Sequence, residues 1–152
     1  MKFTFKHFND LSTEELYAIL QIRAEIFVVE QNCAYNDLDG FDKDAIHQFI
    51  RKYGKIVAYS RLLKAGSRFP DCSIGRIVVK ESERGSGFGI KMIDEAKNFI
   101  LNEWGASNIK ISAQQYLQKF YENLGFEIVT EMYLEDGIPH FGMLYQSKKN
   151  KR

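Results

Sequence analysis

Cysteine, proline and tryptophan are scarce in this chain, with two, two and one among 152 residues. Two cysteines, Cys33 and Cys72, cannot build a disulfide framework, and neither has a second cysteine at metal-ligand spacing. Free thiols in a reducing cytosol are the expectation, hence a cytoplasmic protein. Long apolar runs are missing too, and nothing approaches the run of about 18 that a membrane span needs. The opening Met1–Phe8 stretch alternates apolar and polar residues, which predicts a strand and not a signal peptide. Excess charge is absent as well. With 21 basic against 20 acidic residues the net charge is +1, so neither nucleic acid nor a membrane surface is an expected partner. The one basic run, Lys148–Arg152, reads as a solvated terminus.

What is present fits one folded domain over residues 1–152: a 45% hydrophobic fraction with 12 Phe and 8 Tyr. Phe3, Phe5 and Phe8 mark the first strand. Ser12 and Glu15 have capping-box spacing, and the helix they start carries Leu16, Ile19, Leu20, Ile26 and Phe27. Arg23 interrupts that stripe. Either its guanidinium snorkels or meets a carboxylate, or it reaches into a ligand cleft as a substrate contact. The loop 31–44 carries Asp37, Asp39, Asp42 and Asp44 around Gly40. EF-hand spacing fails there, since Tyr35 and Ile46 would occupy the end positions. A solvated loop and an electrostatic lure for a cationic substrate are the two readings. Strands are expected over 47–51, 56–63, 73–79 and 108–112, and over 127–133 and 141–145 with a turn at Asp136-Gly137. Helices are expected through Met92–Ile100 and Leu117–Leu124, the second stopped by Gly125. The order β-α-β-β-β-α-β-α-β-β is that of a mixed α/β (α+β) sheet protein.

The most informative residues are Arg84-Gly85-Ser86-Gly87-Phe88-Gly89, between an apolar strand and an amphipathic helix. Three glycines let the backbone approach a ligand, and free amides at a helix N-terminus suit a phosphate. Walker A and dinucleotide spacings both fail, because Ile90 stands where each needs glycine. The spacing that fits is Arg-x-x-Gly-x-Gly, Arg84 through Gly87 to Gly89.

That motif resembles the acyl-CoA pyrophosphate loop of the GNAT acetyltransferases, and Phe120–Phe126 looks like their helix-to-strand junction. Phe27–Tyr35, Asp37–Gly40, Ile74–Val79, Ser112–Gln114 and Glu135–His140 look like the ElaA branch of that family. The resemblance implies a GNAT fold, a mostly antiparallel sheet of about seven strands flanked by about four helices. It implies acetyl-CoA as cosubstrate and a small-molecule or peptide amine as acceptor, with no metal. Ile77, Val78 and Val79 would bind pantetheine and polarise the acetyl carbonyl through their amides. Residues Arg84 to Gly89 would hold the pyrophosphate, and Gln114 stands where the family often has an asparagine near CoA. Tyr121 reads as a core aromatic by its stripe, whereas the resemblance implies that it protonates the departing thiolate. Arg23, Glu30, Asp37, Asp39 and His140 are candidate acceptor contacts. The proton acceptor stays open among Glu30, Asp42, His47 and His140. No histidine or activating motif accompanies Cys33 or Cys72, so direct transfer in a ternary complex is expected over an acyl-enzyme. The alternatives are a non-catalytic acyl-CoA-binding or sensing module and a nucleotide-binding domain of another kind. The sequence leaves a homodimer open.

Overall fold

The computed structural model describes residues 2–147, and the basic run Lys148–Arg152 lies outside them. Eight strands form one sheet: β1 (Thr4–His7), β2 (Ile46–Lys52), β3 (Lys55–Leu63), β4 (Cys72–Val79), β5 (Asn108–Gln114), β6 (Glu127–Ile128), β7 (Tyr133–Glu135) and β8 (Ile138–Gln146). Their spatial order is β1-β2-β3-β4-β5-β8-β6, with β7 also paired to β8. Every pairing is antiparallel except β4 with β5. The expected α/β class holds, with eight strands where about seven were expected. The reason is local: the stretch expected as one strand over 127–133 divides into β6 and β7. Asp136 and Gly137 both have positive φ (52° and 76°), as a two-residue hairpin turn of the primed type requires, and Pro139 lies inside β8 beyond it.

Three α-helices occur among the described residues, against about four expected: α1 (Thr13–Arg23), α2 (Phe88–Glu103) and α3 (Gln118–Asn123). The capping box is formed, with the Glu15 amide donating to Ser12 Oγ at 3.0 Å and the Ser12 amide to Glu15 Oε1 at 2.8 Å. The expected continuation of α1 through Phe27 is π-helical instead, over Ala24–Glu30. The amides of Gln31 and Cys33 donate five residues back, to Ile26 and Val28. Wider winding turns Phe27, Glu30 and Gln31 to one side of the segment, the side that borders the cleft described below.

The helices cover opposite faces of the sheet. Ile19 and Ile22 of α1, with Ile26, pack on Phe49, Tyr59 and Val78. Ile93, Ala96 and Ile100 of α2 pack with Tyr121 and Phe126 on Leu62, Ile74, Ile109 and Ile111. Strand β3, central and covered on both faces, is buried from Ile56 to Leu63, so it reads as an unbroken buried run.

Two buried arginines and a half-buried third replace apolar packing at one place under α1. Arg23 Nη1 donates to Asp42 Oδ1 at 2.7 Å and Nε to Asp37 Oδ2 at 2.8 Å. Arg61 Nη1 and Nη2 each donate to Asp39 at 2.8 Å, and Nη1 also reaches Asp42 at 3.0 Å. Arg76 Nε lies 2.7 Å from Asp37 Oδ1, an ion pair whose N–H direction makes no hydrogen bond, and Nη2 donates to Asp39 Oδ2 at 3.3 Å. The acidic loop is therefore an anchor, with Asp37, Asp39 and Asp42 matched by arginines of α1, β3 and β4. Pairing with these arginines offsets most of the charge that Asp37 and Asp39 would offer a cationic substrate. No helix of the described residues is long and apolar enough to cross a membrane.

These pairs make the fold acid-sensitive. Burial alone would raise the Asp39 carboxyl, but Arg61, the Phe41 amide and Arg76 more than reverse that and hold it at about 2. Burial likewise opposes the charged form of Glu15, and the Ser12 amide with Lys6 and Arg51 pulls it to about 2. Asp42 is lowered, against its burial, by Arg23 and Arg61. A carboxyl depressed in the folded state contributes stability that is complete above its unfolded value and is lost as pH falls through its folded one. The melting temperature should thus fall steeply between about pH 4 and pH 2. Asp39→Asn should melt lower at neutral pH and lose part of that acid slope, as read by circular dichroism.

Candidate active site

The site begins where the sheet comes apart. Parallel pairing of β4 with β5 is confined to Cys72 with Ile109 and Ser73 with Lys110. Beyond Ser73, the backbone groups that β4 turns toward β5 have no ladder partner. On the other edge of β4, Gly75 pairs with Arg61 and Val78 with Tyr59, so Arg76 and Ile77 together oppose Ser60. This is a β-bulge, with Arg76 at φ 49°, and a bulge bends the strand that carries it. The guanidinium of Arg76 is held by Asp37 and Asp39, which ties the bulge to the anchored loop. The parting opens a cleft of about 810 Å³ between β4 on one wall and Ile111, Ser112 and Gln114 of β5 on the other.

One end of the cleft is the glycine-rich turn. Gly85 and Gly87 have φ of 83° and 85°, and Gly87 caps α2. The first bond of that helix runs from the Lys91 amide to the Gly87 carbonyl at 3.1 Å, so the amides of Phe88, Gly89 and Ile90 have no intrahelical acceptor. With the helix dipole behind them, these amides are suited to an anion. The Phe88 side chain is buried against Ala58 and Met92 and pins the turn to the core. Ser86 Oγ donates to the Glu83 carbonyl at 2.5 Å, so this hydroxyl shapes the turn and does not line the cleft. Arg84 Nε donates to the Val79 carbonyl at 3.0 Å and Nη2 to Glu30 Oε2 at 2.7 Å, which holds a cation at the mouth.

Tyr121 stands on α3, whose end has Schellman geometry. The Phe126 amide donates to the Tyr121 carbonyl at 3.1 Å and the Gly125 amide to Glu122 at 3.0 Å, with Gly125 at φ 95°. The Tyr121 ring meets Phe120 and Phe126 edge to face and also lines the cleft. It is a core aromatic and a cleft residue at once. Burial pushes its phenol above the usual tyrosine range.

Of the residues singled out in the sequence, Ile77, Val78, Val79, Arg84, Gly85, Gly87, Phe88, Gly89, Gln114, Tyr121, Glu30 and His140 line this one cleft. Arg23, Asp37 and Asp39 do not line it. Arg23 is fully buried in the ion-pair cluster, and its snorkel-or-carboxylate reading replaces the substrate contact. Asp42 and His47 are likewise structural. His47 places its ring nitrogens 2.6 Å from the Tyr59 hydroxyl and 2.8 Å from the Asp42 carbonyl, and burial lowers its pKa. Gln114 Nε2 reaches Gln31 Oε1 at 3.5 Å, across the cleft. Sequence reasoning missed Arg61, Arg68, Arg76, Ser112 and Glu135. The only prior signal for any of them was that Arg76, Ser112 and Glu135 lie inside segments that carry the family resemblance.

A glycine-capped anion site, a parted parallel strand pair and a tyrosine beside it define a class, and the sequence matches the profile of the GNAT acetyltransferase domain over residues 9–147. The chain belongs to the GNAT acetyltransferase family. Within it the relatives are ElaA-like: the chain is 42% identical over 139 residues to protein ElaA of Escherichia coli K12, covering 90% of this chain and 91% of that one. The crystal structure of E. coli ElaA superposes with a TM-score of 0.89 at 39% identity, over 96% of this chain and 100% of the other. An acyl-CoA N-acyltransferase from Pseudomonas aeruginosa gives a TM-score of 0.89 at 41% identity, over 95% and 99%.

Proposed function

We propose that this protein moves an acetyl group from acetyl-CoA to a primary amine, directly and within a ternary complex. The observation that carries the reading is the joining of the α2 anion site to the opening between β4 and β5 in one cleft. The donor set fits a pyrophosphate: three unpaired amides, a helix dipole and the Arg84 guanidinium. The unladdered edge of β4 from Ile77 to Val79 offers backbone groups to an extended, amide-bearing pantetheine arm, in the manner of an added strand. Acetyl-CoA supplies the thioester. The name of the Pseudomonas relative, acyl-CoA N-acyltransferase, agrees with that chemistry.

Tyr121 would act on the sulfur side. A thiol titrates near about 8.5 and a phenol near about 10, and burial raises this phenol further. Complete proton transfer from Tyr121 to a thiolate is therefore uphill, whereas a hydrogen bond from a phenol that stays protonated stabilises the charge as it develops. Cys33 and Cys72 take no acyl group in this scheme. Cys72 is buried with its thiol pushed up by desolvation, and Cys33 has the Asp136 carbonyl as its neighbour at 3.5 Å.

Two outcomes test the reading. Acetyl-CoA at about 100 times its Kd should stabilise the fold by about 2.7 kcal/mol. Gly87→Val should erase that shift, because a β-branched residue is strained at φ 85° and its side chain enters the open space beside the amides. A wild-type shift in the Gly87 variant would move the cofactor elsewhere.

Tyr121→Phe keeps the ring and its packing, so melting and the acetyl-CoA shift should survive. With amine acceptors, kcat and kcat/KM for CoASH release should fall together by about 10²–10⁴-fold. Release of CoASH at all distinguishes the enzyme from a binding or sensing module, and wild-type turnover in the Phe variant with chemistry rate-limiting would leave Tyr121 a core residue only.

A further inference from the structure

An amine held as its ammonium ion has no electron pair to attack with, and we infer that Glu135 removes its proton, with His140 behind it to store that proton. The inference rests on the acetyl-transfer reading above. The other acceptors are placed less well: Asp42 and His47 lie in the buried cluster, and Glu30 is paired with Arg84 beside the glycine turn, the end that the phosphates would occupy.

One hairpin sets the geometry. The Asp136-Gly137 turn places Glu135 opposite Ile138, with His140 across from Tyr133. His140 Nδ1 is 2.7 Å from the Ile138 carbonyl oxygen, which can only accept, so Nδ1 carries the hydrogen. The neutral ring then turns the Nε2 lone pair toward Glu135 Oε2, 3.5 Å away. Two lone pairs facing each other leave room for one proton between them, and an imidazolium there is held by the Glu135 carboxylate and the Ile138 carbonyl together. The Glu135 side chain is 29% exposed and that of His140 7%, so the carboxylate meets the amine and the imidazole sits behind it.

The surroundings fix which oxygen works. Glu135 Oε1 accepts from Arg68 Nη2 at 3.0 Å and, at 3.3 Å, from Ser112 Oγ, which is itself in contact with the Tyr133 hydroxyl. Oε2 is left for His140 and the cleft. The charged and titratable groups facing the pair are Arg68 from the β3–β4 connection and Tyr133 of β7, and Asp136 in the turn lines the same cleft. Across β5, Gln114 is opposite His140, and the His140 ring stacks on Tyr133 with centroids 6.1 Å apart.

The step balances as follows. An N–H bond of the ammonium breaks, its proton passes to Glu135 Oε2 and on to His140 Nε2, and the electron pair stays on nitrogen. That pair forms the C–N bond to the acetyl carbon while the C–S pair leaves with sulfur. Two protons leave the nitrogen in all: one passes through His140 to water, the second is lost to water as the tetrahedral adduct collapses, and the thiolate, steadied by a hydrogen bond from Tyr121, takes one proton back from water and leaves as CoASH.

The experiment compares n-butylamine, cationic at pH 7, with methoxyamine, already neutral there. In Glu135→Gln, and separately in His140→Gln, kcat/KM for butylamine should fall about 10²-fold or more at pH 7, and for methoxyamine by less than about tenfold. Raising the pH should restore the butylamine rate as free amine accumulates, which repair of a merely structural defect would not follow. The acetyl-CoA-dependent melting shift should remain in both variants, reading fold and cofactor site apart from the acid–base step. Equal losses with both amines, no rescue by pH, or no loss with butylamine would each overturn the assignment. If the wild type releases no CoASH with either amine, acetyl transfer itself fails and the inference falls with it. A surviving acetyl-CoA melting shift would then identify binding without transfer.

Discussion

Everything at the proposed site depends on two strands that pair for two residues and then part. A parallel ladder between β4 and β5 continued to Val79 would close the cleft and occupy the backbone groups a pantetheine arm needs. The bulge at Arg76 prevents that continuation, and a non-glycine residue at φ 49° persists only where its surroundings hold it. Those surroundings are Asp37 and Asp39, themselves fixed by Arg23 and Arg61. The most charged part of the interior thus shapes the cleft, and through Arg61 and Arg76 it also forms part of the wall. A buried ion-pair cluster is weak evidence for stability but a good device for fixing geometry, since its partners satisfy one another in only a few arrangements.

The cluster separates two electrostatic jobs. Asp37, Asp39 and Asp42 of the acidic loop are matched internally and define shape. Cleft charges are paired locally, Arg84 with Glu30 at the mouth and Arg68 with Glu135 at the hairpin. The two ends of the cleft consequently differ in kind: free amides and a cation at the helix end, a carboxylate and an imidazole at the hairpin end. An anionic cosubstrate and a cationic acceptor would each meet groups suited to it.

Features encoded by adjacent residues were legible in the sequence. The Ser12–Glu15 capping box, the Gly125 stop, the Asp136-Gly137 hairpin and the glycine turn before α2 are each written within a few residues, and each formed. Legibility ended where partners lie far apart along the chain. Arg23 is 14 positions from Asp37 and 19 from Asp42, and no local pattern says which carboxylate an arginine in an apolar stripe will meet. The bulge at Arg76 was invisible for the same reason, because a bulge is a property of two strands. The π-helical Ala24–Glu30 kept the apolar spacing of an α-helix while turning Glu30 and Gln31 into the cleft. Glu135 lies in a segment that carries the family resemblance, but its surroundings were not legible, since only the folded sheet brings Arg68, Ser112 and His140 to it.

The central claim is that the N-terminus of α2, facing the parted strands, is where the cosubstrate's phosphates sit. Amide resonances followed by NMR during titration with coenzyme A test it without any need for an acceptor. Those of Phe88, Gly89 and Ile90 should move furthest, with Ile77 and Val79 following as the pantetheine arm adds along β4. Saturable shifts that leave these five amides in place, and fall instead on the groove between α1 and the β2–β3 hairpin, would contradict the account.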